Sequence, residues 1–346
     1  MAYWRNNELF IMNILFTCAG RRNYLINYFR EFLDEGDKIY AGDMDITAPA
    51  LADADVAVCL PSIYDEDYIP SLIHGVEALK IDAIISLNDL EAPILSKARA
   101  EFEKVNCHVL VSDDRVIHIT FDKKETATFL ESIGLKTPLT FTNEQDFITA
   151  LDEKRIGFPC VIKPRWGSAS IGIEFPQDLT EFKLANELSK IKLKRTILAK
   201  ASSEDINEAL LYQEKIVGKE YGLDILNDFE ANYVGTFARE KLNMRAGETD
   251  KAITVINDEL EGIGRTISQN LRHIGNLDCD VLCRNGQYYV LEMNARFGGG
   301  YPFSHEAGGK GVACYVAWLK GEKDVSKFIQ YYGGIRYSKC DRLIQI

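Results

Sequence analysis

Short apolar runs alternate with amphipathic, helix-like segments through the first hundred residues of the chain. From Asn13 the sequence reads NILFTCAG, RRNYLINYFREFLDEG and DKIYAGDMD, which is an apolar run, an amphipathic segment ended by Gly36, and a second apolar run. The alternation continues through IDAIISLND, a helical segment from about Glu91 to Lys104, and CHVLVSD. Strands that alternate with helices form a parallel sheet covered by helices on both faces. We therefore predict an α/β domain over residues 12–112.

The loops after these strands carry polar residues, and the carboxyl ends of parallel strands share one edge where ligands bind. The residues at this edge are Gly20, Arg21 and Arg22, then Asp43 and Asp45, then Asn88, Asp89 and Glu91. The first turn, CAGRRN, has one glycine where a dinucleotide-binding turn needs three, which disfavours a nicotinamide cofactor. Arg21 and Arg22 either hold a substrate carboxylate or phosphate at a helix N-terminus or are two solvated charges. The edge is a candidate substrate site, and Asp89 belongs to it.

The overall charge excludes some classes of partner. The 346 residues include 40 basic and 52 acidic side chains, a net charge of −12, which argues against general affinity for nucleic acid or anionic membranes. No window approaches the roughly 18 consecutive apolar residues of a membrane span, and the start, MAYWRNNELFIM, lacks a signal-peptide pattern. We expect a cytoplasmic protein, with residues 1–11 set aside as an N-terminal extension that is an alternative start or a disordered lead. Eight cysteines contain no C-x-x-C pair, so no zinc ribbon is expected.

The pattern changes after Ser112. FDKKETATFLESIGLKTP is typical of a helix ended by Gly134, and FPCVIKPRWGSASIGIEF of a strand, a loop of small residues and a second strand. The segments LLYQEKI, KEYGLDIL, ANYVGTFAREKL, NLDCDVLC and QYYVLEMNA predict a mostly antiparallel sheet, with the long helix DELEGIGRTISQNLRHIG among them. We predict an α+β arrangement for this half, divided into residues 113–195 and 196–346.

Four pieces of the second half suit the binding of a nucleoside triphosphate. Lys163 ends an apolar run, and the loop over residues 166–172 is rich in small residues whose backbone amides can approach phosphates. The segment EKIVGKE, residues 214–220, leads from a strand into a tight connection where backbone groups could pair with a purine edge. Each of these pieces taken alone is equally compatible with an ordinary strand end or loop.

The fourth piece is a set of oxygen donors on two strands. Glu292 and Asn294 are two residues apart, so they point to the same face of their strand. Asp278 lies on the preceding strand, and oxygen ligands from adjacent strands are what Mg²⁺ prefers, with phosphates and waters completing the octahedron. With Arg296 and three glycines following, the segment predicts a metal and phosphate site.

The order of three motifs, VIKPRWGSASIG, EKIVGKEY and VLEMNARFGGG, resembles the ATP-grasp ligases, in particular single-unit relatives of the carbamoyl phosphate synthase large subunit. The resemblance covers nearly the whole chain from Met12. It implies a Rossmann-like, parallel pre-ATP-grasp domain followed by a two-lobed ATP-grasp fold, which grips ATP between two sheets. The implied cofactors are ATP and Mg²⁺, with Mn²⁺ as an alternative metal.

The resemblance also implies roles for single residues. Those at the phosphates of ATP are Lys123, Lys163 and the lid residues Gly167, Ser168, Ala169, Ser170 and Gly172. Those at the adenine and ribose are Glu214, Ile216, Val217 and Glu220. The implied metal ligands are Asp278, Glu292 and Asn294, and Arg296 holds the transferred phosphoryl group. Asp278 and Asp280 face the same side of their strand, so either can be the first ligand, and the spacing to Glu292 favours Asp278.

The implied reaction joins a small-molecule carboxylate, activated as an acylphosphate, to an amine, with release of ADP and phosphate. Lys241, Arg245 and the turn at residues 247–249 are placed in a loop after a central strand, where substrate and phosphate contacts are expected. Gly299 and the Arg21–Arg22 edge complete the predicted substrate residues. The alternatives are carbamoyl-phosphate-synthase-type activity and a non-catalytic nucleotide-binding regulator. A homodimer is possible, and neither nucleic acid nor membrane is an expected partner.

Overall fold

The computed structural model describes residues 11–167, 172–203, 205 and 208–346. The predicted N-terminal extension, residues 1–11, lies outside these ranges except for the exposed Ile11.

The first hundred residues form a five-stranded parallel sheet with helices packed on it, as predicted. The strands are β1 (Asn13–Thr17), β2 (Lys38–Asp43), β3 (Val56–Cys59), β4 (Ala83–Ser86) and β5 (His108–Val109). The helices are α1 (Asn23–Arg30), α2 (Tyr68–Leu79) and α3 (Ala92–Lys104), with a 3₁₀ helix at Pro49–Asp53. The strand order is β3-β2-β1-β4-β5. Because the order reverses between β1 and β4, the loops after these two strands, which hold Arg22 and Asp89, open beside each other.

A small three-stranded antiparallel sheet follows. Helices α4 (Asp114–Phe121), which was not predicted, and α5 (Lys123–Ser132) lead to β6 (Thr140–Phe141), α6 (Glu144–Asp152), β7 (Cys160–Pro164), α7 (Leu179–Leu193) and β8 (Leu210–Glu214). The strands pair in the order β6-β8-β7, so β8 joins strands from the other side of the predicted boundary at residue 195. The second strand predicted after the small-residue loop is reduced to one bridge between Ile162 and Glu174. The carbonyl of Pro176 accepts one further bond from the backbone N–H of Cys160 at 3.1 Å, but Pro176 has no N–H to donate in return.

The remaining strands form a six-stranded antiparallel sheet. They are β9 (Lys219–Asn227), β10 (Tyr233–Arg245), β11 (Glu248–Val255), β12 (Gly275–Arg284), β13 (Gln287–Asn294) and β14 (Arg336–Ser338), in the order β13-β12-β9-β10-β11-β14. The predicted long helix is α8 (Asp258–Leu271), and α9 (Tyr301–Glu306) and α10 (Gly311–Leu319) complete the chain. Within the described ranges, no helix has the length and apolar character needed to cross a membrane.

The segment predicted as a loop around residue 245 is instead a β-hairpin. Strand β10 continues to Arg245, and Glu248 begins β11, with Arg245 opposite Glu248 and Met244 opposite Thr249. Ala246 and Gly247 both have positive φ, at 50° and 80°, which turns the chain within two residues. The segment has an exposed, polar end, so its sequence lacks the apolar alternation that identifies a strand.

The N-terminal sheet and the C-terminal helices share one apolar core. Phe29 of α1 packs edge-on against Phe16 of β1, at 4.9 Å between ring centroids, and against Phe297, at 6.2 Å. Tyr301 and Tyr315, from α9 and α10, belong to the same buried cluster. This core positions the loops after β1 and β4 next to the end of the six-stranded sheet.

Candidate active site

A cavity of about 310 Å³ lies where the N-terminal edge, the small sheet and the six-stranded sheet meet. Its volume is at the lower end of the range for small-molecule sites. Its cationic lining residues are Arg22, Lys123, Lys163, Arg239, Lys241 and Arg296. Its acidic lining residues are Asp89, Glu248, Asp278, Asp280 and Glu292. Side chains far apart in sequence, and from all three sheets, therefore converge on one polar chamber.

The candidate metal ligands face the cavity from two neighbouring strands. Asp278 of β12 is opposite Asn294 of β13, and Asp280 is opposite Glu292, so all four side chains share one face of the sheet. Asn294 Nδ2 donates a hydrogen bond to Glu292 Oε1 at 3.2 Å. Within the described ranges, no group of three or more His, Cys, Asp or Glu residues suits a metal ion. One or two carboxylates and an amide oxygen fit Mg²⁺, which keeps several positions for phosphate and water.

Both aspartates of β12 are paired with cations. Asp278 lies 3.2 Å from Arg239 Nη2 and 3.5 Å from Arg296 Nη1. Asp280 lies 2.7 Å from Lys241 Nζ, and burial raises the pKa of this carboxyl to about 6 although Lys241 opposes the shift. Asp280 is the aspartate directly opposite Glu292, whereas Asp278 is the one directly opposite Asn294. The arrangement presents both carboxylates to the cavity, and the assignment of Asp278 stays a prediction.

Two lysines enter the cavity from the side of the small sheet. Lys163 is buried near the end of β7, and burial, together with the nearby charge of Lys123, lowers its pKa to about 8. Lys123 begins α5, donates to the carbonyl of Gly167, and lies 3.9 Å from Glu292 Oε2. Cationic groups that are shielded from solvent in this way can bind an anion strongly, because water competes little for them.

Asp122 and Arg165 fix the position of Lys123. The Asp122 carboxylate caps α5 by accepting from the backbone N–H of Lys124 at 2.9 Å. The same carboxylate accepts from Arg165 Nε at 2.8 Å and lies 2.7 Å from Arg165 Nη2. The backbone N–H of Lys123 also donates to the carbonyl of Arg165. The pair therefore joins the start of α5 to the end of β7, the two elements that carry the lysines.

Arg296 connects the six-stranded sheet to the N-terminal edge. Its Nη2 donates to Asp89 Oδ2 at 2.7 Å, while its Nη1 faces Asp278. Asp89 and Asp278 raise the pKa of this guanidinium against the opposing effect of burial. The predicted phosphoryl-binding residue and the predicted edge residue Asp89 are thus in direct contact.

Arg239 is a cavity residue that the sequence places in a basic cluster with Lys241 and Arg245 but to which it assigns no role of its own. It is fully buried, with Nη1 bound to Asp224 and Ser304 and Nη2 to Asp278. Its buried Nε has no hydrogen-bond partner among the described residues. Through its Nη atoms, Arg239 therefore connects Asp278, which lines the cavity, to the buried Asp224 and Ser304. The sequence contains one sign of this placement: Arg239 lies two residues before Lys241, so the two side chains point to the same face of the strand.

Apart from Gly167, the predicted lid and adenine residues either do not line this cavity or fall outside the described residues. Gly167 lines the cavity and Gly172 does not, while Ser168, Ala169 and Ser170 fall outside the described residues. The four predicted adenine and ribose residues, Glu214, Ile216, Val217 and Glu220, do not line it. Glu214 lies 2.7 Å from Arg284, and Glu220 lies 2.7 Å from Lys241. Their nucleotide contacts stay predictions.

Two predicted substrate residues do not line the cavity, and the others, including the turn at residues 247–249, do. Arg22, Asp89 and Gly299 are lining residues, whereas Arg21 is exposed on the first turn. Arg245 is also exposed and is not a lining residue, although Met244 and Gly247 are, and it binds Asp250 and Asp341 at 3.0 and 2.6 Å. A contact between Arg245 and substrate stays a prediction. Lys241 lines the cavity, but Glu220 and Asp280 already neutralise it.

Comparison with known proteins gives two family matches along the chain. Residues 14–110 match the PylC-like N-terminal domain, and residues 120–300 match the ATP-grasp domain. The carbamoyl phosphate synthase large chain of Gemmatimonas aurantiaca is 25% identical over 231 residues, which is 62% of this chain and 20% of that protein. The chain thus spans about a fifth of the length of that relative.

Solved structures share the fold at low sequence identity. A biotin carboxylase from Campylobacter jejuni, in complex with β,γ-ATP, superposes with a TM-score of 0.72 at 16% identity, over 92% of this chain and 73% of that one. An L-amino acid ligase from Bacillus licheniformis gives a TM-score of 0.63 at 17% identity, over 92% and 76%. These similarities confirm the predicted fold class, an α/β domain followed by an ATP-grasp region. The chain therefore belongs to the ATP-grasp family of ATP-dependent ligases.

Proposed function

We propose that this protein is a carboxylate–amine ligase that uses ATP and Mg²⁺. The observation that carries the proposal is the convergence of Lys123, Lys163 and Arg296 with the Glu292–Asn294 pair in one cavity. Such a set of charges binds a triphosphate and neutralises it during transfer. An ATP-dependent ligase needs this set more than it needs a protein nucleophile.

The chemistry follows from the weakness of a carboxylate as an electrophile. Transfer of the γ-phosphoryl group of ATP to a carboxylate oxygen gives an acylphosphate and ADP, and attack by an amine forms the amide and releases phosphate. Phosphoryl transfer depends mainly on positioning and charge neutralisation. Arg239, a further cation among the residues that line the cavity, adds positive charge near an oxygen that becomes more negative along this path.

The chain's own residues divide this work between two sides of the cavity. Lys123 and Lys163 hold phosphate oxygens from the small sheet, and Arg296 faces them from the six-stranded sheet. Glu292 and Asn294, with one of the two aspartates, would hold Mg²⁺. The metal supplies further neutralisation of phosphate charge when bound.

Similarity to carbamoyl phosphate synthase large chains favours a second candidate reaction, in which bicarbonate replaces the organic carboxylate. The chain covers a fifth of that relative, and it contains a single match to the ATP-grasp domain. The two candidates use the same phosphate-binding residues, and separate substrate arms of the assay distinguish them. A cytoplasmic location, a homodimeric state and domain divisions at residues 112 and 195 accompany this proposal.

ADP release tests the proposal directly. Purified protein with MgATP is screened against small carboxylates and amines in pairs, with bicarbonate plus ammonia as a separate arm. Glu292→Gln should keep its fold and lose ADP release, because the amide cannot supply the charge of the carboxylate ligand. Glu230→Gln, at an exposed turn, is the matched control and should behave as wild type. Equal release by Glu292→Gln and wild type contradicts the metal assignment, and no release with any pair contradicts the function.

A further inference from the structure

One carboxylate of the cavity is held between two cations from distant parts of the chain. Glu248 Oε1 lies 3.6 Å from Arg22 Nη2, and Glu248 Oε2 lies 3.2 Å from Lys339 Nζ. Burial opposes ionisation of Glu248, yet Arg22 and Lys339 together lower its pKa. A Cβ at residue 299 would lie 2.8 Å from the carboxyl carbon of Glu248, so Gly299 leaves the space that this side chain occupies.

Lys339 lies outside both segments that match known families. It follows β14, and its backbone N–H donates to the carbonyl of Asp250 at 2.9 Å, which continues the pairing of β14 with β11. Residues 339–342, which we call the C-terminal segment, are tied down at two further points. Asp341 binds Arg245 at the tip of the β10–β11 hairpin, and Arg342 binds Asp53 of the N-terminal domain. The segment therefore bridges the hairpin and the N-terminal domain beside the cavity.

The charges around Glu248 do not balance: Arg22 and Glu248 line the cavity, and Lys339, which is not a lining residue, contacts it through Glu248. Among the described residues, Glu248 is the one carboxylate within 4.0 Å of either Arg22 or Lys339. Arg22 makes its other contact with a neutral group, the hydroxyl of Tyr24 at 2.7 Å. Lys339 is 21% exposed, and burial and the charges of Arg22 and Arg239 lower its pKa, although Glu248 acts in the opposite direction. Arg22 and Lys339, two partly buried cations, thus share the single carboxylate of Glu248. A further anionic group bound between them would reduce their mutual repulsion.

We propose that Arg22 and Lys339 bind a non-reacting carboxylate of the amine substrate, and that Glu248 accepts a hydrogen bond from its amino group. The substrate class is a free amino acid, which carries both groups a few bonds apart. This inference rests on the proposed function, since it names the amine that the ligation consumes. It also assigns the recognition of that substrate to a C-terminal segment beyond the matched ATP-grasp domain.

The test compares amino acids with their decarboxylated amines, using L-alanine with ethylamine and L-lysine with cadaverine, in the ADP-release assay with a fixed carboxylate. The amino acids should stimulate ADP release and the matched amines should do so only at much higher concentration. Lys339→Ala should raise the KM for the amino acid by about tenfold to a hundredfold, the loss expected for a charged hydrogen bond. The KM values for ATP and for the decarboxylated amine should not change. Lys339→Arg should restore part of the difference, and Lys327→Ala, at an exposed lysine paired with Glu322, is the matched control.

Three results would overturn the inference. Equal stimulation of ADP release by an amino acid and its decarboxylated amine would show that the protein does not recognise the carboxylate. An unchanged KM in Lys339→Ala, or an equal rise for both members of a pair, would show that Lys339 does not contact that group. If ADP is released but the amino acid and its amine behave alike, the inference fails and the proposed function stands. If no amine or amino acid stimulates ADP release, both fail.

Discussion

Lys163 is a buried lysine whose charge changes within the pH range of an ordinary binding experiment. Burial and the charge of Lys123 lower its pKa from 10.5 to about 8, against the opposing effect of Glu292. Phosphate oxygens brought next to the ammonium favour its charged form, so a bound nucleotide should return the pKa towards its ordinary value. Nucleotide binding is then linked to the uptake of a proton at this side chain.

The size of the effect follows from the pKa. At pH 8 Lys163 is about half protonated in the free protein, so binding a nonhydrolysable ATP analogue with Mg²⁺ should take up about 0.5 proton. Because only the protonated form binds well, the affinity should fall about tenfold between pH 7 and pH 9. The sign of the pKa shift determines the direction of this pH dependence. Because the pKa of Lys163 is lowered in the free protein, Lys163 loses its charge as the pH rises through 8, and nucleotide affinity falls.

Titration calorimetry at pH 8 in two buffers with different ionisation enthalpies measures the number of protons directly. Lys163→Arg keeps the positive charge across this range, because a guanidinium does not deprotonate, so its proton uptake should vanish and its affinity should stay flat. Lys124→Arg, at the neighbouring partly exposed lysine that pairs with Glu208, should retain the wild-type uptake. No uptake in wild type, or the same uptake in Lys163→Arg, would refute the reasoning.

Two further predictions concern stability. Gly300→Ala would place a Cβ 2.1 Å from Nη2 of Arg239, whose guanidinium is held by ion pairs, so thermal unfolding should show a loss of about 1–3 kcal/mol. Gly262→Ala, on an exposed helical turn with open space around it, should instead gain up to about 1 kcal/mol, and equal effects of the two changes would contradict the clash. Asp122→Ala leaves the Arg165 charge buried without its main partner, which should cost about 3–5 kcal/mol of unfolding free energy in denaturant titration. A loss below about 1 kcal/mol would mean that other groups replace Asp122.

The parallel domain was predictable because its signal is local. Each strand and helix of residues 12–112 shows its own periodicity, and the alternation alone determines the sheet type. The hairpin at Arg245 and Glu248 was missed for the converse reason. Its strands end in exposed, charged residues, so they lack the apolar alternation that identifies a strand. Backbone pairing between the two strands keeps this segment extended.

Within the site, the predictable residues are those whose relation is set by one strand or two adjacent strands. The facing of Glu292 and Asn294 follows from a period of two, and the structure adds the opposing Asp278 and Asp280. The contact between Arg296 and Asp89 joins residues 207 positions apart, and no local pattern encodes it. The pairing of Glu248 with Lys339 likewise depends on how three parts of the chain pack.

The apolar core that Phe16 and Phe29 share with Phe297, Tyr301 and Tyr315 limits how this protein can exchange parts with its relatives. A chimera cut at residue 112 would set a foreign α1 against the resident α9 and α10, with ring contacts that no longer fit. A recombined gene should express well only if residues 13–41 and 297–319 come from the same parent. In natural sequences the rings of these two stretches should accordingly change together, although more than 250 positions separate Phe29 from Phe297 along the chain. The N-terminal domain and the C-terminal helices should therefore be inherited together.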